Sequence, residues 1–158
     1  MIFEVYCDGS TRSNGQENAV GAWAYVVLCD AGKIKEVCQA VKGTTNQRME
    51  LTAAAEALEY LFYNEICIPF DRVIVYTDSA YLHNCVTQKW YANWQANGWK
   101  NAKKQPVANQ DLWERLIKFF DMPEVEFAKV KGHTDNQWNN YVDELAQKAS
   151  QKLRSESC

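Results

Sequence analysis

The sequence predicts an α/β fold, a mixed five-stranded sheet flanked by helices on both faces. Three observations lead there. Three strand-like segments open the chain in close succession. Helix-like and strand-like segments alternate after them. The helical segments carry their apolar residues along one stripe. A chain of 158 residues, 47% hydrophobic and 23% charged, suits a single domain with a buried core.

Residues 2–8, 21–29 and 33–42 read as the first three strands. The second, Gly21 to Cys29, is rich in β-branched and aromatic residues. Asp30-Ala31-Gly32 has the composition of a hairpin turn, so these strands form an antiparallel meander. The pattern then changes. Met49 to Glu65 is rich in Ala, Leu and Glu, and Ala54, Leu58, Leu61 and Phe62 recur at helical spacing. Thr44, Thr45 or Asn46 can cap its start. Pro69 lies in the link to a fourth strand, Arg72 to Thr77. A short helical stretch, Ala80 to Val86, leads into a segment of Trp and Lys at about 87–106. Asp111 to Asp121 is amphipathic, with Leu112, Leu116 and Phe119 or Phe120 facing inward and Trp113 in the core. Pro123 precedes a fifth strand, Val125 to Val130. A last helix spans about 139–153, with Val142, Leu145, Ala149 and Leu153 on one side, and 154–158 is expected to fray. Helices between strands require crossovers, which favours parallel pairing in the second half.

The bulk composition excludes several classes. No apolar run is long enough to span a membrane, and the N-terminus lacks a basic start followed by an apolar segment. A cytoplasmic protein is the expectation. The six cysteines include no Cys-x-x-Cys pair, and neither His83 nor His133 stands at zinc-finger spacing from them. They read as small buried hydrophobes kept reduced. The net charge of −3 argues against a polyanionic partner until its distribution is considered. From Ser79 through Gln110 there is no acidic residue, while Lys89, Lys100, Lys103 and Lys104 all occur there. One basic segment on a mildly acidic protein can bind a polyanion locally.

Four carboxylates stand beside apolar residues at strand ends or within helices: Asp8, Glu50, Asp78 and Asp143. If the first and fourth strands are neighbours, Asp8 and Asp78 come together. Each like-charged pair about 4 Å apart costs roughly 4 kcal/mol at an effective dielectric of 20. Hard divalent cations, which prefer oxygen ligands, would remove that cost, and without them at least one pKa must rise. Singly, each acid has an ordinary explanation: a turn at Asp8-Gly9-Ser10, a helix cap at Asp78, solvated helix positions at Glu50 and Asp143. Spacing alone does not choose between these readings.

The surrounding motifs do choose. Tyr-Cys-Asp-Gly-Ser, Thr-Thr-Asn-Gln-Arg-Met-Glu-Leu-Thr-Ala-Ala, Tyr-Thr-Asp-Ser-Ala-Tyr, Asn-Gly-Trp-Lys, Asp-Leu-Trp-Glu-Arg-Leu and Val-Lys-Gly-His-Thr occur in this order. They closely resemble the motifs of type 1 ribonuclease H in its bacterial form, over residues 2 to about 150. The resemblance implies a ribonuclease H-like fold and an endonuclease that hydrolyses the RNA strand of RNA–DNA hybrids by two-metal-ion catalysis, leaving 5′-phosphate and 3′-hydroxyl ends. It implies two Mg²⁺ per site, with Mn²⁺ able to substitute, held by Asp8, Glu50, Asp78 and Asp143. His133 matches the family's loop histidine, associated with product release or proton transfer. Asn14, Thr45, Asn46 and Gln47 match positions near the RNA strand, where contacts to 2′-hydroxyls tell RNA from DNA. Lys89, Trp90, Trp94, Lys100, Lys103 and Lys104 match the protrusion that grips the DNA strand. Trp94 or Trp99 can equally pack that protrusion's own helices. The implied partner is the hybrid, bound by a monomer away from any membrane. The rivals are a DNA-acting nuclease of the same architecture and a catalytically silent hybrid-binding module.

The sequence departs from the family at several places. The loop after Asp8 usually has a Gly/Pro-rich stretch, but here it reads Thr11-Arg12-Ser13-Asn14-Gly15-Gln16-Glu17-Asn18-Ala19. Asn140 replaces a frequent glutamate. Gln105 and Ala108 stand where relatives often carry lysine. Hybrid binding is therefore expected to be weaker and more salt-sensitive than in a lysine-rich relative. KM across a salt series checks this, and equal values for the two proteins would contradict it.

Overall fold

The computed structural model describes residues 1–12, 18–30, 32–130 and 136–156. Its strands are β1 (Ile2–Arg12), β2 (Val20–Cys29), β3 (Gly32–Lys42), β4 (Arg72–Thr77) and β5 (Val125–Lys129). Its helices are α1 (Asn46–Tyr63), α2 (Ala80–Gln88), α3 (Trp90–Asn97), α4 (Gln110–Phe120) and α5 (Gln137–Glu156). The sheet order is β3-β2-β1-β4-β5. The first three strands pair antiparallel, and β4 pairs parallel with both β1 and β5. The expected meander and crossovers are both present.

Strand alternation decides what lies on each face. Val5 and Cys7 of β1 join a core with α1 and α4, in which Leu51, Leu58, Trp113, Leu116 and Phe119 are buried. Tyr6, on the opposite face, packs with Ala22, Ala24 and Val26 against Val142 and Ala146 of α5. One helix thus covers β1, β2 and β3 from below, while the other helices build the upper layer. Across that layer Arg48 donates to both carboxylate oxygens of Asp111, at 3.0 and 2.8 Å, and Arg115 reaches Glu56 and Glu59. These pairs are partly exposed and fix orientation more than they stabilise. Among the described residues, no helix is long and apolar enough to cross a membrane.

Several boundaries differ from the sequence expectation, each for a physical reason. β1 continues four residues past Asp8, because its ladder with β2 runs on to the Arg12–Val20 pair. Asp-Gly-Ser is therefore strand, not turn, and Asp8 sits opposite Ala24. α1 starts at Asn46, three residues early, because the Thr45 hydroxyl accepts from the Arg48 N–H at 3.2 Å. It ends at Tyr63, before Glu65 enters the left-handed region at φ 56°. The Trp/Lys segment contains a helix of its own, α3, which begins after the left-handed Lys89 and stops at the left-handed Gly98. α5 continues to Glu156, through part of the stretch expected to fray.

Gly9 is where β1 and α1 meet backbone to backbone. A Cβ there would lie 2.4 Å from the Glu50 nitrogen and 2.6 Å from the Met49 Cβ. Only glycine permits this approach, and the approach sets Glu50 beside Asp8. Gly9→Ala should lower stability by about 1–3 kcal/mol, as overpacking does. Urea denaturation measures it, and a variant as stable as wild type would contradict the close approach.

Candidate active site

The β1–β4 register that pairs Tyr6 with Tyr76 leads, two residues further on, to Asp8 and Asp78. Glu50 reaches the same point from the start of α1. Ligand oxygens of Asp8, Glu50 and Asp78 all lie within 4.8 Å of one another. Asp143 lines the same cleft from α5 and shares a hydrogen bond with Asp8. Its Oδ2 also accepts from Gln147 Nε2 at 3.0 Å. The structure thus brings three of the four expected acids into one tight group, with the fourth across Asp8 from them.

The local chain explains how Asp78 is presented. Thr77 and Ser79 on either side are both buried. The Ser79 N–H donates to Thr77 Oγ1 at 3.1 Å, and Ser79 Oγ accepts from the Leu82 N–H, capping α2. The Ser79 hydroxyl also hydrogen-bonds Glu50. One serine therefore starts a helix and orients a neighbouring acid.

The electrostatics follow from burial and crowding. Asp8 is only 4% exposed. Burial holds its pKa far above the usual carboxylate range, and the charge of Asp78 and the hydrogen bond with Asp143 push the same way. A hydrogen bond between two carboxyl groups needs a proton, which the raised Asp8 carboxyl supplies. Burial raises Glu50 to about 7, opposed by the Ser79 hydrogen bond and reinforced by Asp78. Beneath them Cys7 is buried, and its thiol is pushed upward by desolvation and then by the three carboxylates. Crowded hard oxygens whose ionised forms are mutually disfavoured fit divalent cations.

The cleft, of about 330 Å³, is also lined by Ser10, Thr11, Asn46, Asn139 and Asn140. Asn46 is the expected strand-contacting residue that the structure places there. Thr45 beside it caps α1, and Gln47 is exposed on its first turn. Lys89, Lys100, Lys103 and Lys104 are exposed around α3 and the turn closed by the Lys100–Pro106 bridge. Trp90 and Trp94 are half-buried in an aromatic ladder: Trp94 lies 6.3 Å from Trp90, 5.8 Å from Trp99 and 5.6 Å from Trp113. Asn14 and His133 lie outside the described residues.

Two site residues escape the sequence reading. Ser79 carries a usable signal, a hydroxyl immediately before a helix. Asn139 stands four residues before Asp143 on α5, hence on the same side of the helix. It is 4% exposed, and its buried Oδ1 has no hydrogen-bond partner among the described residues.

The raised pKa of Glu50 makes a signed prediction for the metal-free protein. Its contribution to stability is fully present below the unfolded carboxyl pKa, near 4.5, and is lost as the pH rises through about 7. With chelator present, Glu50→Gln should therefore gain on wild type by on the order of 1–3 kcal/mol between pH 5 and pH 8. Urea midpoints at the two pH values measure it, and a pH-independent difference would contradict it.

The RNase H family model matches residues 2–151. A protein named Ribonuclease H from Clostridium botulinum is 46% identical over 145 residues, covering 92% of this chain and 93% of that one. Among solved structures, LC9-RNase H1, described as a type 1 RNase H with the type 2 active-site motif, superposes with a TM-score of 0.78 at 26% identity, covering 96% of this chain and 72% of that one. LC11-RNase H1, solved in complex with an RNA/DNA hybrid, has the same fold, with a TM-score of 0.68 at 20% identity over 96% of this chain and 98% of that one. On the strength of the family match and of the identity across nearly the whole chain, this protein belongs to the RNase H family.

Proposed function

We propose that this chain is an endoribonuclease that hydrolyses the RNA strand of RNA–DNA hybrids, with Asp8, Glu50, Asp78 and Asp143 holding two Mg²⁺ ions. The observation that carries the reading is the group of three carboxylates within 4.8 Å, with Asp143 beside it, in a chain of this family. When bound, the ions supply Lewis-acid stabilisation of the phosphate and a water nucleophile at neutral pH, leaving 5′-phosphate and 3′-hydroxyl ends.

The chain's own groups do the positioning. Asp8, which interacts with both Asp78 and Asp143, would be a shared ligand in holding the ions, and the Ser79 hydroxyl hydrogen-bonds Glu50 within the group. Asn46, which lines the cleft, would test for a 2′-hydroxyl, and the reading assigns Thr45, Gln47 and Asn14 to the same strand. His133 is assigned to proton transfer or product release. Lys89, Lys100, Lys103 and Lys104 neutralise phosphates of the DNA strand, with the exposed parts of Trp90 and Trp94 packing beside them. A relative of this fold solved with an RNA/DNA hybrid supports the choice of substrate. The protein acts as a monomer in the cytoplasm under this reading. Shape and 2′-hydroxyls, not base edges, select the substrate, so sequence preference is weak.

Cleavage of a labelled hybrid tests the reading, with RNA–RNA and DNA–DNA duplexes run beside it. Only the RNA strand of the hybrid should be cut. Asp78→Asn should lower the rate by more than about 100-fold, beyond what loss of a supporting residue costs, with its circular dichroism unchanged. Cutting of DNA would indicate a nuclease of different specificity, and binding without cutting would indicate a silent module. Either would overturn the proposal.

A further inference from the structure

The end of the sheet opposite the acids leaves large hydrophobic residues in solvent. Met1 and Ile2 lie at the start of the chain, and Tyr63, Ile68 and Phe70 between the end of α1 and the start of β4. A backbone hydrogen bond from Arg72 to Met1, at 3.0 Å, joins the two stretches. Clustered exposure of this kind marks interaction sites. The turn leading into β4 is built to produce it. The Asp71 N–H donates to the Ile68 carbonyl at 3.0 Å, closing Ile68-Pro69-Phe70-Asp71 as a β-turn. Phe70 has φ 78°, the value a type II turn requires at its third residue and that glycine normally supplies. A bulky residue in that region is strained, and such strain persists only where the surroundings impose it. Here Asp71 imposes it: Oδ2 accepts from the Ile68 N–H and Oδ1 from the Met1 ammonium, both at 3.0 Å. The chain thus accepts backbone strain to hold a phenylalanine ring wholly in solvent.

A cavity of about 360 Å³ adjoins the ring, lined by Phe62, Cys67, Ile68, Pro69, Phe70 and the single carboxylate of Glu124. The surrounding charge has one sign. Neither Met49 to Asp71 nor Phe119 to Ala128 contains a lysine or an arginine. The cations nearby are engaged: the Met1 ammonium with Asp71, Arg72 with Glu126 at 3.3 Å, and Lys118 over the Tyr63 ring at 4.8 Å. Among the described residues, Glu65 and Glu124 make no ion pair. An acidic rim repels phosphate, so neither nucleic acid nor an anionic lipid surface suits this face. A second copy of the chain suits it no better, because a two-fold contact would set one Glu124 near the other. An apolar group with a cation beside it is the complementary partner.

We propose that this face docks a segment of another protein that carries an apolar side chain next to a lysine or arginine. The apolar side chain enters the cavity against Phe70, and the cation meets Glu124. Aromatic anchors beside a small pocket are what such contacts are made of. From this turn β4 carries the chain roughly 20 Å to Asp78. The docked partner therefore leaves the acid cleft open, and its effect is to recruit the protein without altering the chemistry.

The test titrates the whole protein with a short amphipathic peptide of leucine and lysine, followed by backbone amide shifts. A matched peptide of leucine and glutamate runs beside it. The lysine peptide should bind at least about tenfold more tightly, with its largest shifts at Cys67, Ile68, Phe70 and Glu124. Phe70→Gly should weaken it by about tenfold or more. Glycine suits the φ at this position, so that variant should melt no lower than wild type, which separates lost binding from lost folding. Glu124→Gln should weaken the lysine peptide and reduce the salt dependence of its binding. Both variants should leave the initial rate of hybrid cleavage unchanged. Equal binding of the two peptides, or binding of neither, would overturn the proposal. Shifts confined to Asp8, Glu50 and Asp78 would place the peptide in the acid cleft and also overturn it. So would a lower melting temperature in Phe70→Gly, which would make the ring a packing residue. Self-association in light scattering that Phe70→Gly abolishes would assign the face to a second copy and overturn the choice of partner.

Discussion

Direct backbone contact between Gly9 and the Met49–Glu50 segment is the constraint on which the site depends. A side chain at position 9 would separate β1 from α1 and carry Glu50 away from Asp8. The other acids arrive by equally rigid routes. Parallel pairing of β1 with β4 brings Asp78 level with Asp8, and α5 crossing beneath the sheet brings Asp143 to the far side. No acid in the group depends on a loop tip for its position, which suits a site that must hold ions in fixed geometry.

The same rigidity makes the crowded carboxylates a liability for stability. Asp8 is buried and Glu50 half-buried close to like charge, and both resist ionising. The frame tolerates this because the two apolar layers are extensive and independent of it, one around Trp113 and Leu116, the other under α5. Strain of this kind at a functional site is the usual cost of activity. Divalent cations turn the repulsion into a reason to bind.

Much of this is legible in the residues. The antiparallel meander and the parallel pairing of the later strands follow from three close strands and two later crossovers, whereas the place of β4 beside β1 is settled only by the structure, and β4 is bounded correctly because Pro69 precedes it and Asp78-Ser79 ends it. The acids are legible through their motifs, not their spacing. Other features depend on contacts a linear reading cannot see. Asp8-Gly9-Ser10 has turn composition, yet its ladder with β2 keeps it extended. Arg154 reads as part of a frayed tail, and packing of α5 keeps it helical. Trp94 matches a substrate-gripping position, but its ring is already engaged by Trp90, Trp99 and Trp113, which leaves less of it for nucleic acid. Ser79 and Asn139 escape notice because a hydroxyl at a cap and an amide on a helix usually have local work to do.

The dependence of the hybrid cleavage rate on Mg²⁺ concentration tests the central claim most directly. If the carboxylate group works by holding two ions, the rate at subsaturating metal should rise with the square of the concentration and vanish in chelator. A first-power dependence would contradict the two-ion account. Cutting that persists in chelator would contradict the role given to the acids altogether.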